Sequence, residues 1–88
     1  MTKLGADVEA LDTLSRKFDE ESGKIQQAIT MIASQLSAAW WEGPDAQRFR
    51  EDWESNHRQA LQRLGEALTQ AANHCRTQAN QQREVSRG

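Results

Sequence analysis

A single proline divides this chain of 88 residues, and it stands at the midpoint. Pro44 directly follows Trp41, Glu42 and Gly43, whereas long stretches with helical periodicity and no proline lie on either side. Proline suits the first position of a helix, and the residue before it is disfavoured in the α region. The segment therefore predicts a turn at residues 41–44 between two helices, with Gly43 as the turn or cap residue.

The first arm, about residues 6–40, carries one apolar stripe. Its members recur at alternating steps of four and three residues, which is the repeat of a helix that packs along another helix. They are Leu4, Val8, Leu11, Ser15, Phe18, Ser22, Ile25, Ile29, Ile32, Leu36 and Ala39. The stripe predicts one helix roughly 50 Å long, at about 1.5 Å per residue.

The second arm, about residues 45–77, carries a similar stripe that is rich in alanine. Its members are Ala46, Phe49, Trp53, His57, Leu61, Leu64, Leu68, Ala71 and Cys75. The small alanine side chains permit close approach of the two helices. After Thr77 the pattern fades, so we predict that residues 78–88 are a fraying helix end or a flexible tail.

These two arms predict an all-α fold, an antiparallel two-helix hairpin that forms a single domain over residues 1–88. One apolar stripe per helix makes a small core for a chain of this length, and the expected remedy is dimerisation into a four-helix bundle. The hairpin or dimer seam is predicted to contain Leu11, Phe18, Ile25, Ile29, Ile32, Leu36, Leu61, Leu64 and Leu68.

The charges of the two arms favour this antiparallel arrangement. Residues 1–44 carry 4 basic and 7 acidic side chains (net −3), whereas residues 45–88 carry 7 and 6 (net +1). The net charge of −2 gives no general attraction to nucleic acid or to anionic lipid. The arginines of the second arm alternate with acidic residues, as they do on a solvated face. They are Arg48, Arg50, Arg58 and Arg63.

Several classes of localisation and redox chemistry are disfavoured by the composition. No stretch approaches the roughly 18 consecutive apolar residues of a membrane span. The N-terminus lacks the apolar core of a cleavable signal peptide, so secretion would not use the general route. The one cysteine, Cys75, cannot form an intrachain disulfide.

The candidates for chemistry are few, and we expect no enzyme, no cofactor and no metal site. Glu54 and His57 have the E-x-x-H spacing that binds metals in some four-helix bundles. The antiparallel register places them opposite residues 28–31, which include no carboxylate. His74 and Cys75 are adjacent and point in different directions on a helix, so a buried structural thiol is the expected role of Cys75.

The three tryptophans offer the best candidates for recognition. Trp53 falls on the seam, where core packing is its expected role. Trp40 and Trp41 are consecutive, about 100° apart on a helix, so both cannot face the seam. We predict that one covers the end of the bundle while the other stays partly exposed as an interface anchor. The alternative is that both merely close the helix end.

The segment from Trp41 to Trp53 resembles the signature of the WXG family. The family comprises the small early-secreted-antigen-like proteins of type VII (ESX) secretion systems. The match extends beyond W-x-G to Ala46, Phe49 and Trp53, in the pattern W-x-G-x-x-A-x-x-F-x-x-x-W. The Trp-Trp doublet before Gly43 is similar to actinobacterial members.

This resemblance implies a non-enzymatic protein that acts by protein–protein interaction. It implies a hairpin that pairs with a second hairpin, as a homodimer or as a heterodimer with a sister protein. The dimer would be made in the cytoplasm and secreted folded, after recognition by an ATPase of the FtsK/SpoIIIE type. Trp41 and Gly43, with Trp40 and Pro44 beside them, would form one half of the recognition signal.

The other half of that signal in the family is a C-terminal Y-x-x-x-[D/E] segment, and this chain contains no tyrosine. Three accounts are open. The chain can be the partner of a sister protein that carries the signal, which is the account we favour. The chain can be truncated. It can also be a homodimer whose export signal has diverged, or one that is not exported.

The alternative from another class is a structural helical-hairpin subunit of a secretion needle or filament. Type III needle proteins are hairpins of similar size with a proline-containing turn, and head-to-tail contacts would let them polymerise. The turn discriminates between the two, because a needle turn has no need of Trp41, Phe49 and Trp53 in register.

Overall fold

The computed structural model describes residues 5–87, which form a long helical hairpin. The first arm is helix α1 (Val8–Ala38), and residues 39–43 connect it to the second arm. The second arm runs without a break through helix α2 (Pro44–Asp52), a π-helical turn (Trp53–His57) and helix α3 (Arg58–Arg87). Residues 5–87 contain no strand, so the prediction of an all-α hairpin is confirmed. Leu4 and Gly88 lie outside the described residues.

The start of α1 is set by a capping side chain. Asp7 is the N-cap, and its Oδ1 accepts hydrogen bonds from the backbone N–H groups of Glu9 (3.0 Å) and Ala10 (3.4 Å). Such a bond satisfies a backbone donor that has no partner inside the helix. The helix therefore begins two residues later than the predicted residue 6.

The register of the two arms is set by polar contacts that cross the hairpin. Arg83 pairs with Asp12, and Arg76 Nη1 donates to Asp19 Oδ2 at 2.7 Å. The two pairs are seven residues apart on each arm, in opposite directions, as an antiparallel heptad pairing requires. Each pair takes its acid from the first arm and its arginine from the second, in agreement with the charge asymmetry of the sequence.

The buried core between the arms is small and built mainly from short side chains. Its members are Ser15, Ile29, Ala46, Trp53, Ala72, Cys75 and Ala79. The hydroxyl of Ser15 donates to the carbonyl of Asp12 at 2.9 Å, which satisfies the one buried polar side chain of this set. The radius of gyration is 19.7 Å, whereas a compact domain of this length measures about 12 Å. The hairpin is therefore an extended rod with few residues shielded by its own chain.

The prediction that the second helix ends near residue 77 is wrong. Helix α3 continues to Arg87, and the predicted flexible tail at residues 78–87 is part of that helix. Ala79 is fully buried and Arg83 pairs with Asp12. The segment is poor in apolar residues, but the buried Ala79 and the pair of Arg83 with Asp12 keep it in contact with α1.

A π-helical turn interrupts the second arm and explains its spacing. The backbone N–H of Arg58 donates to the carbonyl of Trp53, a bond that spans five residues instead of four. The seam on this arm recurs in two rows with seven-residue steps, and each row contains one step of eight across the turn. The rows are Ala46, Trp53, Leu61, Leu68, Cys75 and Arg50, Arg58, Gly65, Ala72, Ala79.

One extra residue therefore enters the second arm between Trp53 and Arg58, and the π turn absorbs it. This corrects the predicted stripe at His57, which is exposed, while Arg58 takes the half-buried position. Without the wider turn, every later seam residue would be rotated by about 100°. Within residues 5–87, no helix combines the length and the apolar character that a bilayer span requires.

Candidate functional site

The hairpin end, residues 39–53, is called the head here. Ala46 and Trp53 of the head are buried, and Trp53 lines a groove together with Ala33 and Leu36 of α1. The core role predicted for Trp53 is therefore confirmed. Its indole Nε1 is buried and finds no acceptor among the described residues.

The connection between the arms is shaped by Gly43 and Pro44. Gly43 has φ +111° and ψ 176°, a conformation that side-chain-bearing residues rarely adopt. A Cβ at Gly43 would meet nothing within 4 Å, so the backbone angle is what requires glycine there. Pro44 occupies the first turn of α2, as predicted, and Gly43 is the N-cap of that helix. The connection thus spans residues 39–43, and Pro44 belongs to the helix.

Arg50 clamps the end of α1 to α2. Its Nη2 donates to the carbonyls of Leu36 (3.1 Å) and Ala39 (3.2 Å), and its Nη1 donates to the carbonyl of Trp41 (2.8 Å). The last turn of α1 contains no basic residue of its own. Arg50 therefore supplies both the missing donors and the positive charge that a helix C-terminus favours.

This role corrects the interpretation of Arg50 as part of a solvated face. Arg50 is half-buried, and its guanidinium also lies 5.9 Å from the ring centroid of Trp41. Arg58 fits the earlier interpretation better, because its charge pairs with Glu54 on the same arm at 3.1 Å. The contacts of Arg50 with residues before the turn leave no periodic signal in the sequence.

Three aromatic rings form a row from the connection to the π turn. The Trp41 and Phe49 ring centroids lie 5.6 Å apart, and Phe49 and His57 lie 6.4 Å apart. Both distances are in the range of favourable aromatic pairs. Phe49 therefore packs against the ring of Trp41. The exposed fraction of Trp41 is 41%.

Trp40 is the most exposed large apolar residue of the head, with 89% of its surface accessible. The prediction that one tryptophan of the pair stays exposed agrees with Trp40. Trp41 packs on Phe49. The sequence could not assign the two roles, because α1 ends at Ala38 and the helical angle between neighbours no longer applies.

The two long flanks of the hairpin differ in chemistry. One side of the seam, the polar flank, carries the contacts that cross between the arms and a groove lined by amide and hydroxyl side chains. It consists of Asp12, Asp19, Ser22, Gln26, Gln62, Gly65, Thr69, Arg76 and Arg83. Ser22 Oγ donates to the Gly65 carbonyl at 2.9 Å and lies 2.9 Å from the Thr69 hydroxyl.

The opposite side of the seam, the apolar flank, follows from the helical angles of the two arms. It consists of Leu14, Phe18, Ile25, Ile32, Phe49, Leu61, Leu64 and Leu68. Ile32 and Leu64, both predicted for the hairpin or dimer seam, remain 40% and 49% exposed in the single hairpin. The predicted seam residues are thus divided between the contact of the two arms and the exposed apolar flank. Leu11, Ile29 and Leu36 are covered within the hairpin to different degrees, whereas Ile32 and Leu64 are open.

The candidates for metal or nucleophilic chemistry are separated in space. His57 Nε2 lies 4.0 Å from Asp52 Oδ2, while the Glu54 carboxylate pairs with Arg58. Among residues 5–87, no three histidine, cysteine or acidic side chains come together as potential metal ligands. Cys75 is buried and His74 is exposed, in agreement with a structural thiol.

Comparisons with known proteins add no further constraint: no protein-family model, curated protein or solved structure matches this chain. The resemblance to the WXG family therefore depends on the sequence motif from Trp41 to Trp53.

Proposed function

We propose that the chain is a WXG-type substrate or partner protein of a type VII (ESX) secretion system. It is exported as a folded dimer and acts by protein–protein interaction, without catalysis. The observation that carries the proposal is the role of the motif residues, which all belong to one end of the hairpin. Gly43 provides the positive φ, Ala46 and Trp53 are buried, with Trp53 beside Ala33 and Leu36 of α1, and Phe49 contacts Trp41.

The spacing of the motif has a physical reason in this arrangement. Ala46 and Trp53 are seven residues apart and face the same side of the second arm, toward α1. Phe49 lies between them on the adjoining apolar flank, within reach of Trp41. A turn that served only to reverse the chain would need Gly43 and Pro44, but not this aromatic support.

The apolar flank supports the dimer. Covering a half-exposed leucine or isoleucine contributes about 1 kcal/mol, so the open residues of this flank provide several kcal/mol for pairing. A second hairpin, from a copy of this chain or from a sister WXG protein, presents a matching rod. The resulting four-helix bundle would bury the flank that the single hairpin leaves open.

The absent tyrosine favours the heterodimer. A sister protein with a Y-x-x-x-[D/E] tail would bring the second half of the export signal to the complex. The secretion ATPase of the FtsK/SpoIIIE type would then recognise a surface formed by both chains. A neighbouring gene that encodes such a sister protein would support this arrangement directly.

An export assay tests the proposal. The chain is expressed in a host with an intact type VII system, alone and with its candidate sister protein, and is measured with an antibody in culture filtrate and cell pellet. We expect it in the filtrate only when the ATPase is present. Equal amounts in the filtrate with and without the ATPase, or retention in the pellet in every strain, would contradict the proposal.

Trp41→Ala should leave the helix content unchanged and reduce export in the same assay. Its ring touches Phe49 and Arg50 but is not part of the buried core, so the two arms keep their packing. Circular dichroism and sedimentation of the purified variant provide the control. Loss of the dimer on this substitution would show that Trp41 is a packing residue instead.

A further inference from the structure

The backbone on both sides of Trp40 is held by hydrogen bonds from one side chain. The carbonyls of Ala39 and Trp41, which immediately precede and follow Trp40, both accept from the guanidinium of Arg50. The third carbonyl held by Arg50 belongs to Leu36, in the last turn of α1. The backbone at Trp40 is therefore fixed relative to both α1 and α2, while its side chain has 89% of its surface in solvent.

An exposed tryptophan is energetically unfavourable, and a head that only reversed the direction of the chain would not require one. A tryptophan is usually largely buried, and its exposure leaves a large apolar surface in water. The neighbouring Trp41 already packs on Phe49, so the packing of the head does not require the ring of Trp40. A rigid, exposed tryptophan is the type of residue that anchors a protein interface at low entropic cost.

We propose that Trp40 is the residue of the head that a protein partner contacts directly, and that Arg50 is the positioning residue that holds Trp40 out in solvent. This inference rests on the proposed function and assigns the contact within the motif region. Trp41 then supports the head from inside, although it is the tryptophan that belongs to the W-x-G pattern.

The surroundings of Trp40 indicate the chemistry of that partner. Glu42 and Asp45 are exposed in the same segment, and Arg48, 3.9 Å from Asp45, offsets one of these two negative charges. Arg50 directs its charge to the carbonyls of Leu36, Ala39 and Trp41, so a small negative charge remains beside Trp40. A partner with an apolar pocket bordered by basic side chains would complement this surface. The same acidic residues oppose binding to an anionic membrane, which is the other surface that attracts exposed tryptophan.

The first test compares Trp40→Ala with Met31→Ala, since Met31 is an exposed apolar residue on α1 outside the head, next to Ile32 at the edge of the apolar flank. Both variants are measured in the export assay with and without the ATPase. We expect Trp40→Ala to reduce ATPase-dependent export at least about tenfold, as for an interface anchor, and Met31→Ala to match the wild type. Both should keep the wild-type helix content and dimer mass.

Four results would overturn the assignment of Trp40. Wild-type export of Trp40→Ala, in a host where export depends on the ATPase, would overturn it and leave the proposed function intact. A halved mass of Trp40→Ala would show that the residue is part of the dimer. Sedimentation with phosphatidylglycerol vesicles that depends on Trp40 would show a membrane contact. If wild-type export does not depend on the ATPase, the proposed function fails and the assignment fails with it.

The role of Arg50 is tested by Arg50→Gln and Arg50→Lys. Neither side chain can reach three carbonyls as a guanidinium does, although lysine keeps the charge at the C-terminus of α1. We expect both to lower the ¹⁵N heteronuclear NOE of the Trp40 amide and to reduce export, with Arg50→Lys the milder variant. Helix content and dimer mass should be unchanged. Reduced export with an unchanged NOE, or a lowered NOE with wild-type export, would overturn the positioning role.

Discussion

The polar and apolar flanks of the hairpin are formed by the same two helices and differ in what they contact. On the polar flank, Asp12 and Asp19 of α1 meet arginines of α3, and Ser22 reaches the Gly65 carbonyl. On the apolar flank, Ile32 and Leu64 lie on opposite arms and remain open to solvent. The cross-arm contacts of the polar flank are made within one chain, whereas Ile32 and Leu64 of the apolar flank stay exposed. The polar flank sets the register of the arms, and we propose that the apolar flank joins two hairpins.

The largest effect is expected from removing one residue of α3. Deletion of Arg63 rotates the rest of the arm by about 100°, which takes Ala72, Cys75 and Ala79 out of the core and separates the pairs of the polar flank. We expect loss of cooperative unfolding in urea, followed by circular dichroism.

Deletion of Asn56 is the matched control. It removes the extra residue of the π turn and leaves regular seven-residue steps on both seam rows. The free energy of unfolding should stay within about 1 kcal/mol of the wild type, since the packing on either side is retained. If this deletion were as damaging as that of Arg63, the π turn would not be the site that absorbs the extra residue.

A somewhat smaller effect is expected from a charge at the hairpin core. Ile29 has 6% of its surface exposed and lies between the flanks. Ile29→Asp buries a carboxylate without a partner, and we expect it to lower the free energy of unfolding by about 4 kcal/mol or more. Ile29→Val, which only removes a methylene, should cost about 1 kcal/mol. Urea unfolding measures both, and similar values for the two variants would argue against a packed core at this position.

The smallest effect is expected from the ion pairs of the polar flank. The side chains of Arg76 and Asp19 are 43% and 45% exposed, so water and salt screen their attraction. We expect Arg76→Ala to lower the free energy of unfolding by at most about 1 kcal/mol, and less in high salt. Arg48→Ala, which removes a more exposed pair within α2, should change it less. A loss of several kcal/mol at Arg76 would mean that this flank stabilises the fold rather than only aligning it.

Much of the two arms outside the head could be predicted from periodicity, because the seam of α1 follows the heptad rule from Val8 to Leu36. The second arm breaks that rule once. Three consecutive steps of four residues, from Phe49 through Trp53 and His57 to Leu61, were the available sign of an extra residue. The row of Gly65, Ala72 and Ala79 was missed because glycine and alanine carry little hydrophobic signal. Their contribution here is close approach rather than burial of large side chains.

The head was less predictable for a different reason. Gly43 and Pro44 specify a turn through local chemistry, and the sequence revealed it. The clamp formed by Arg50 depends on carbonyls at Leu36, Ala39 and Trp41, which become available only where α1 ends. Which tryptophan is exposed follows from that clamp. Contacts of this kind have no spacing rule, so only the three-dimensional arrangement identifies them.

The mass of the particle in solution, measured by sedimentation equilibrium, tests the central claim that the apolar flank joins two hairpins. Leu64→Asp places a charge on this flank, and Gln26→Asp places the same charge on the polar flank. We predict a dimer for the wild type and for Gln26→Asp, and a helical monomer for Leu64→Asp. When the sister protein is the obligatory partner, the same result is expected for the mixed complex. A wild-type mass for Leu64→Asp, or dissociation by Gln26→Asp instead, would contradict the account.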